Sequence, residues 1–131
     1  NLSFLAENIP PNVEKLDLTG LGITDDQVKI LLQRCNKIKS LSLEGTLVAK
    51  NSLIHIRQYL NLTLEELELK VHTDLTFTDL LRLKSMSRLK ILNLYTKKVY
   101  IKSNDKNLQK LRKNLPHLTI KLDWKNLPST S

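Results

Sequence analysis

Four kinds of side chain in this 131-residue sequence are of types that do chemistry: one cysteine, three histidines, three glycines and a short acidic run. Nucleophilic catalysis by Cys35 would need a neighbouring base to generate the thiolate. The cysteine instead completes an apolar series, Val28, Leu31, Leu32 and Cys35, at i, i+3, i+4 and i+7. On such a stripe a cysteine acts as a small buried hydrophobe. His55, His72 and His117 are scattered and have no metal-ligand spacing. Gly20, Gly22 and Gly45 make no phosphate-cradling loop, and the first two fit a turn. Glu65, Glu66 and Glu68 supply paired carboxylates, but in a stretch that alternates like a strand. No catalytic constellation, metal site or cofactor is expected, and the chain reads as a binding protein rather than an enzyme.

Two sets of residues are candidates for binding. Asp17, Ser42, Glu44, Glu66, Glu68, Asn93 and Tyr95 occupy alternate positions of four strand-like segments and would share one solvent-facing surface. Such a surface suits a protein partner, with Tyr95 as an aromatic anchor and the carboxylates selecting a partner that carries Lys or Arg. The second set is basic. The net charge is +8, and residues 1–81 hold 8 Lys and Arg against 11 Asp and Glu, whereas residues 82–131 hold 13 against 2. Lys106, Lys110 and Lys113 fall at i, i+4 and i+7 of a helix, after Lys97, Lys98 and Lys102. With Tyr100 nearby, this stripe is a candidate contact for phosphates and a stacked base. A charged, solvated outer face accounts for the same residues without any ligand.

Both sets depend on a repeated framework. Val13, Leu16 and Leu18 share a spacing with Ile38, Leu41 and Leu43, with Leu64, Leu67 and Leu69, and with Leu89, Leu92 and Leu94. The first residues of these groups lie 25, 26 and 25 apart, within the 20 to 29 residues of a leucine-rich repeat. In each group the last two apolar residues are two apart, so they share one face of a strand. Thr24-Asp-Asp-Gln27 is a capping box at the start of a helix carrying the Cys35 stripe. Leu53, Ile56 and Leu60 repeat part of that stripe, as do Leu108, Leu111 and Leu115. The third helix is less regular, offering Phe77, Leu80, Leu81 and Leu83, with Met86 in the position of Cys35.

Each unit is thus strand, loop, helix and return. Such a unit cannot bury its own core, so neighbours must stack. The expected fold is α/β: a right-handed leucine-rich-repeat solenoid with a parallel concave sheet and convex helices. Residues 1–12 read as the end of a preceding repeat or a proximal cap, 13–124 as four repeats and a terminal strand, and 125–131 as a flexible tail. The terminal strand admits two registers: Leu115, Leu118 and Ile120 fit the spacing of the other units, but Leu115 also completes the helix stripe. On that second, preferred reading Leu118, Ile120 and Leu122 are expected to point inward and Thr119, Lys121 and Asp123 outward. The loop over 97–107 absorbs the longer final interval, with Asp105 as a helix cap and Trp124 closing the core. The sequence has no long apolar run for a membrane span, and its single cysteine suits the reducing cytoplasm or nucleus.

The run ITDDQVKILLQRCNKIKSLSLEG, from Ile23 to Gly45, resembles the cysteine-containing leucine-rich repeat of F-box substrate receptors of cullin-type ubiquitin ligases. NLQKLRKNLPHLTIKLDW, from Asn107 to Trp124, is similar to a terminal repeat of the same group. The resemblance spans about residues 13–124 as a repeat pattern. It implies a substrate-recognition or scaffold role, with ubiquitin-ligase components held through a segment outside this sequence. Only Cys35 matches the repeat's cysteine; the corresponding places hold Leu62 or its neighbours, Met86 and Leu115, and no F-box helices are present.

Overall fold

The computed structural model describes residues 7–45, 50–71, 77–96 and 106–123. Within them five strands, β1 (Lys15–Leu18), β2 (Ser40–Gly45), β3 (Glu66–Val71), β4 (Ile91–Thr96) and β5 (Thr119–Asp123), form one sheet in chain order. All four pairings are parallel. Between the strands lie α1 (Asp25–Arg34), α2 (Lys50–Leu60), α3 (Phe77–Leu80) with a 3-10 segment at Leu81–Ser85, and α4 (Lys106–Asn114). This is an α/β architecture in which every crossover carries a helix, as parallel pairing requires.

The leucine spacing sets the register. Leu16, Leu41, Leu67, Leu92 and Ile120 stand opposite one another across the five strands, and Leu18, Leu43, Leu69, Leu94 and Leu122 form the next row. A slip of one residue would turn every one of these side chains to the other face. Leu41, Leu43, Leu67, Leu69, Leu92 and Leu94 are all buried. Burying each such side chain contributes about 1.5–3 kcal/mol. They pack in one core with Val28, Leu31, Leu32 and Cys35, with Leu53, Ile56 and Leu60, and with Leu108, Leu111 and Leu115.

Each unit touches only its neighbours among the described residues. Helix α1 packs on α2, α2 on α3 and the 3-10 segment, and these in turn on α4. Polar links run the same way and step one unit at a time: Gln33 Nε2 donates to the Tyr59 hydroxyl at 3.0 Å, Ser85 Oγ to Asn61 Oδ1 at 2.8 Å, and Asn107 Nδ2 to Thr78 Oγ1 at 2.9 Å. The buried Ser52 donates to Asp25. Where the chain enters the sheet, the Lys39 ammonium meets Glu14 at 3.0 Å and that of Lys90 meets Glu65 at 3.2 Å. The charges therefore alternate from unit to unit along that edge.

Local chemistry explains the individual elements. The Gln27 amide N–H donates to Thr24 Oγ1 at 3.2 Å, while the Thr24 N–H donates to Gln27 Oε1 at 2.9 Å, so the capping box is formed. Gly20 and Gly22, at φ of 79° and 61°, turn the chain out of β1 through the left-handed region that glycine tolerates. The third crossover overwinds for a reason visible in its buried residues. Leu80, Leu83 and Met86 step by three, which is the period of a 3-10 helix rather than 3.6.

Two details sharpen the sequence reading. Of the residues around Leu62, Leu62 itself does not take the place of Cys35, being 70% exposed; the buried residue that closes the helix stripe is its neighbour Leu60. The Leu64 N–H reaches back to the Leu60 carbonyl at 3.1 Å, which accommodates the extra residue of that 26-residue interval. In β5, Ile120 stands opposite Leu92 and Leu122 opposite Leu94, with Leu118 buried behind them, as the helix-stripe assignment of Leu115 requires. Trp124, Asp105 and residues 125–131 lie outside the described residues.

Candidate functional site

One face of the sheet covers the core; alternation leaves the other to polar side chains. The strand register arranges them in rows across the units. Asp17, Ser42, Glu68, Asn93 and Lys121 form the central row. Lys15, Ser40, Glu66, Ile91 and Thr119 flank it on one side, and Glu44, Lys70, Tyr95 and Asp123 on the other. The seven residues expected from the sequence to face a protein partner therefore share one surface. Lys121 joins their row from the last strand, a position legible from the alternation of β5.

Hydrogen bonds between neighbouring strands fix the acidic groups. Ser42 Oγ donates to Glu68 Oε2 at 3.1 Å, and Ser40 Oγ makes a longer contact to Glu66 Oε2 at 3.5 Å. Both hydroxyls belong to the unit preceding the carboxylate they touch. Asp17 is held by its own turn: the Thr19 hydroxyl donates to Oδ1, and the Thr19 backbone N–H donates to the same oxygen at 2.9 Å. These two bonds, the hydroxyl's first, hold the exposed Asp17 carboxyl below the usual carboxylate range, with Lys70 and Lys15 acting in the same direction. Asn93 Oδ1 is buried and has no hydrogen-bond partner among the described residues. Lys15, Asp17, Ser40, Ser42, Glu66, Glu68 and Asn93 border a groove of about 280 Å³ whose floor is Leu41 and Leu67. The groove thus offers oriented acceptors and a buried amide oxygen to a donor-rich cation.

Tyr95 stands at the side of this groove, and the Lys70 ammonium lies 5.5 Å from its ring centroid. A cation over a ring at an exposed site contributes about 0.5–1 kcal/mol. Part of the tyrosine face is therefore already covered by the preceding strand.

The basic set lies elsewhere. Lys106, Lys110 and Lys113 are all exposed on α4, while Lys97, Lys98, Lys102 and Tyr100 fall outside the described residues. Sequence reading missed three further cations, Arg57, Arg82 and Lys84, which line a concavity between α2 and the third crossover. Arg57 is far in the chain from Arg82 and Lys84 and becomes their neighbour only when two units stack. Their signal was the repeat period itself, because Arg57 and Arg82 are one 25-residue interval apart.

Cys35 is buried, and its Sγ–H points at the Pro10 carbonyl 3.8 Å away. Burial pushes its thiol pKa up, so the group stays protonated and unreactive at neutral pH. Among the described residues no group of three or more His, Cys, Asp or Glu side chains could hold a metal ion, and no helix is long and apolar enough to cross a membrane. No protein-family model and no curated protein matches this chain.

Proposed function

We propose that the chain is a leucine-rich-repeat solenoid, right-handed in its crossovers, whose concave sheet face is a docking surface for a protein rich in Lys or Arg. The handedness is that of nearly all parallel crossovers. The regular 25- and 26-residue intervals, the sheet in chain order and the restriction of packing to neighbouring units support the repeat reading. The observation that carries the function is the pair of carboxylates Glu66 and Glu68, the second held by the Ser42 hydroxyl, at the centre of an open polar face. Acceptors fixed before binding reduce the ordering cost of association. The module is non-enzymatic and needs no cofactor. Its resemblance to F-box receptors makes substrate recognition for a cullin-type ubiquitin ligase, in the cytoplasm or nucleus, the biological setting proposed for it.

Reversing both charges, Glu66→Lys with Glu68→Lys, tests this reading. The variant is expected to keep the wild-type circular dichroism spectrum and melting behaviour, because both side chains lie outside the core. Its affinity for the protein partner is expected to fall by about tenfold or more, since like charges then face one another. Undiminished affinity for that partner would remove the sheet face from the binding account.

A second reading, nucleic-acid binding through the basic C-terminal half, is favoured by the exposure of Lys106, Lys110 and Lys113 along one side of α4. The acidic sheet face is unsuited to a polyanion, so this reading uses the helix side.

A further inference from the structure

The concavity between α2 and the third crossover has a volume of about 250 Å³ and is lined by Arg57, Thr78, Leu81, Arg82 and Lys84. Three of its five lining side chains are cationic. They take part in neither the Lys39–Glu14 nor the Lys90–Glu65 salt bridge. Arg82 Nε is buried without a hydrogen-bond partner among the described residues. A guanidinium N–H removed from water and left unmatched has a desolvation cost that an anionic ligand would recover. Thr78 Oγ1 accepts from Asn107 Nδ2 at 2.9 Å, which leaves its own O–H proton free to donate. Two planar guanidinium forks and an ammonium are donors only, the hydroxyl adds one O–H, and this donor set fits phosphate oxygens.

We propose that Arg57, Arg82, Lys84 and Thr78 form a phosphate-binding pocket that anchors the backbone of a nucleic acid. The inference rests on the second reading above and gives it a specific anchor. The ligand class follows from how the positive charge continues. Asn107, which bonds to the pocket's Thr78, sits between Lys106 and Lys110 on α4. The cations therefore pass from the pocket along the next helix, as successive phosphates of one strand would require, whereas a single phosphorylated side chain would need the pocket alone. No aromatic side chain lines the pocket, so binding there is to the backbone and indifferent to sequence.

The test is fluorescence anisotropy of the intact chain with a short labelled oligouridylate, titrated at salt concentrations between about 50 and 200 mM. Each phosphate neutralised on a single strand contributes about −0.7 to the slope of log K against log salt. Arg57→Gln with Arg82→Gln is expected to weaken binding about tenfold near 0.1 M salt and to flatten the slope by about 1.4. Lys29→Gln with Lys37→Gln removes the same charge from exposed positions on and beyond α1 and is expected to leave the constant within about twofold if the pocket is a site. Should Arg82→Gln fail to fold by circular dichroism, the exposed Lys84→Gln substitutes for it, with an expected loss of about fivefold.

Equal loss in the Lys29/Lys37 control would reduce the effect to net charge and overturn the pocket. Loss confined to Lys106→Gln, Lys110→Gln and Lys113→Gln would leave the nucleic-acid reading standing and overturn the pocket alone. Failure of the wild-type chain to bind the oligouridylate would overturn both, and capture of a phosphoserine peptide in its place would assign the pocket to a different ligand.

Discussion

Along the open face of the sheet, Asp17, Glu44, Glu66 and Glu68 stand among hydroxyls, an amide and the lysines Lys15, Lys70 and Lys121, whereas the helix side carries Arg57, Arg82, Lys84, Lys106 and Lys110, with the buried Asp79 in the same crossover as Arg82. Both surfaces come from the same repeat. The buried positions of each unit are nearly fixed, because the register and the core admit only leucine-like side chains there. The remaining positions are free to diverge, and they have diverged into a mixed, acid-centred sheet face and a basic helix side. A stack of similar units can therefore carry two chemically different surfaces, separated by the core.

Substitutions that strike the core, one surface or the other separate these contributions. Leu67→Asp removes the layer common to both faces. An unpaired carboxylate in the core costs several kcal/mol, against a total stability of about 5–15 kcal/mol for a domain. Equilibrium urea unfolding is expected to find little folded protein, and both binding activities should vanish together. Survival of either in a folded variant would mean that the two faces do not share a core.

A smaller effect is expected on the helix side alone. Thr24→Ala deletes the hydroxyl that accepts from the Gln27 N–H and is expected to lower stability by about 1 kcal/mol, read as a shift in urea midpoint at unchanged slope. The protein partner's affinity for the sheet face should not change. Coupling between the cap and that affinity would show that the helix layer tunes the sheet.

The smallest effect belongs to the sheet face. Thr19→Val removes the larger of the two bonds that depress the Asp17 pKa. NMR titration of the Asp17 carboxyl is expected to show its pKa moving up toward the ordinary value of about 3.9. Because the folded-state pKa is depressed, its stabilisation is present above that ordinary value and lost as pH falls through the folded pKa. Thr19→Val should therefore slightly reduce the acid sensitivity of stability. Exposure of Asp17 to solvent keeps the effect small, and an unmoved pKa would remove Thr19 as the cause.

Much of this was legible in the chain. The leucine intervals set the register of the first four strands, and Thr24 with Gln27 marked the start of α1, because both depend on short, local spacing. The fifth strand, outside the regular interval, follows instead from the helix stripe that ends at Leu115. The seven sheet-face residues followed from alternation once the strands were placed. What the sequence left hidden arises between units. The hydroxyl bonds to Glu66 and Glu68 join residues 26 apart, and the cationic concavity assembles Arg57 with Arg82 only when α2 meets the third crossover. By sequence the place of Cys35 before the third strand falls among Leu62 and its neighbours, although Leu60 is already on the helix stripe; which of them is buried depends on how the 26-residue interval takes up its extra residue. The overwound third crossover was visible only as irregularity, although its three-residue step of Leu80, Leu83 and Met86 carried the physical cause.

The most direct test of the central claim is affinity capture of the intact protein from its own cells, comparing wild type with Glu66→Lys/Glu68→Lys, with and without nuclease, by quantitative mass spectrometry. The account predicts a Lys- or Arg-rich protein that survives nuclease and is lost from the variant, while a small adaptor and a cullin are recovered with both. Recovery of the same proteins at the same level with wild type and variant would contradict it.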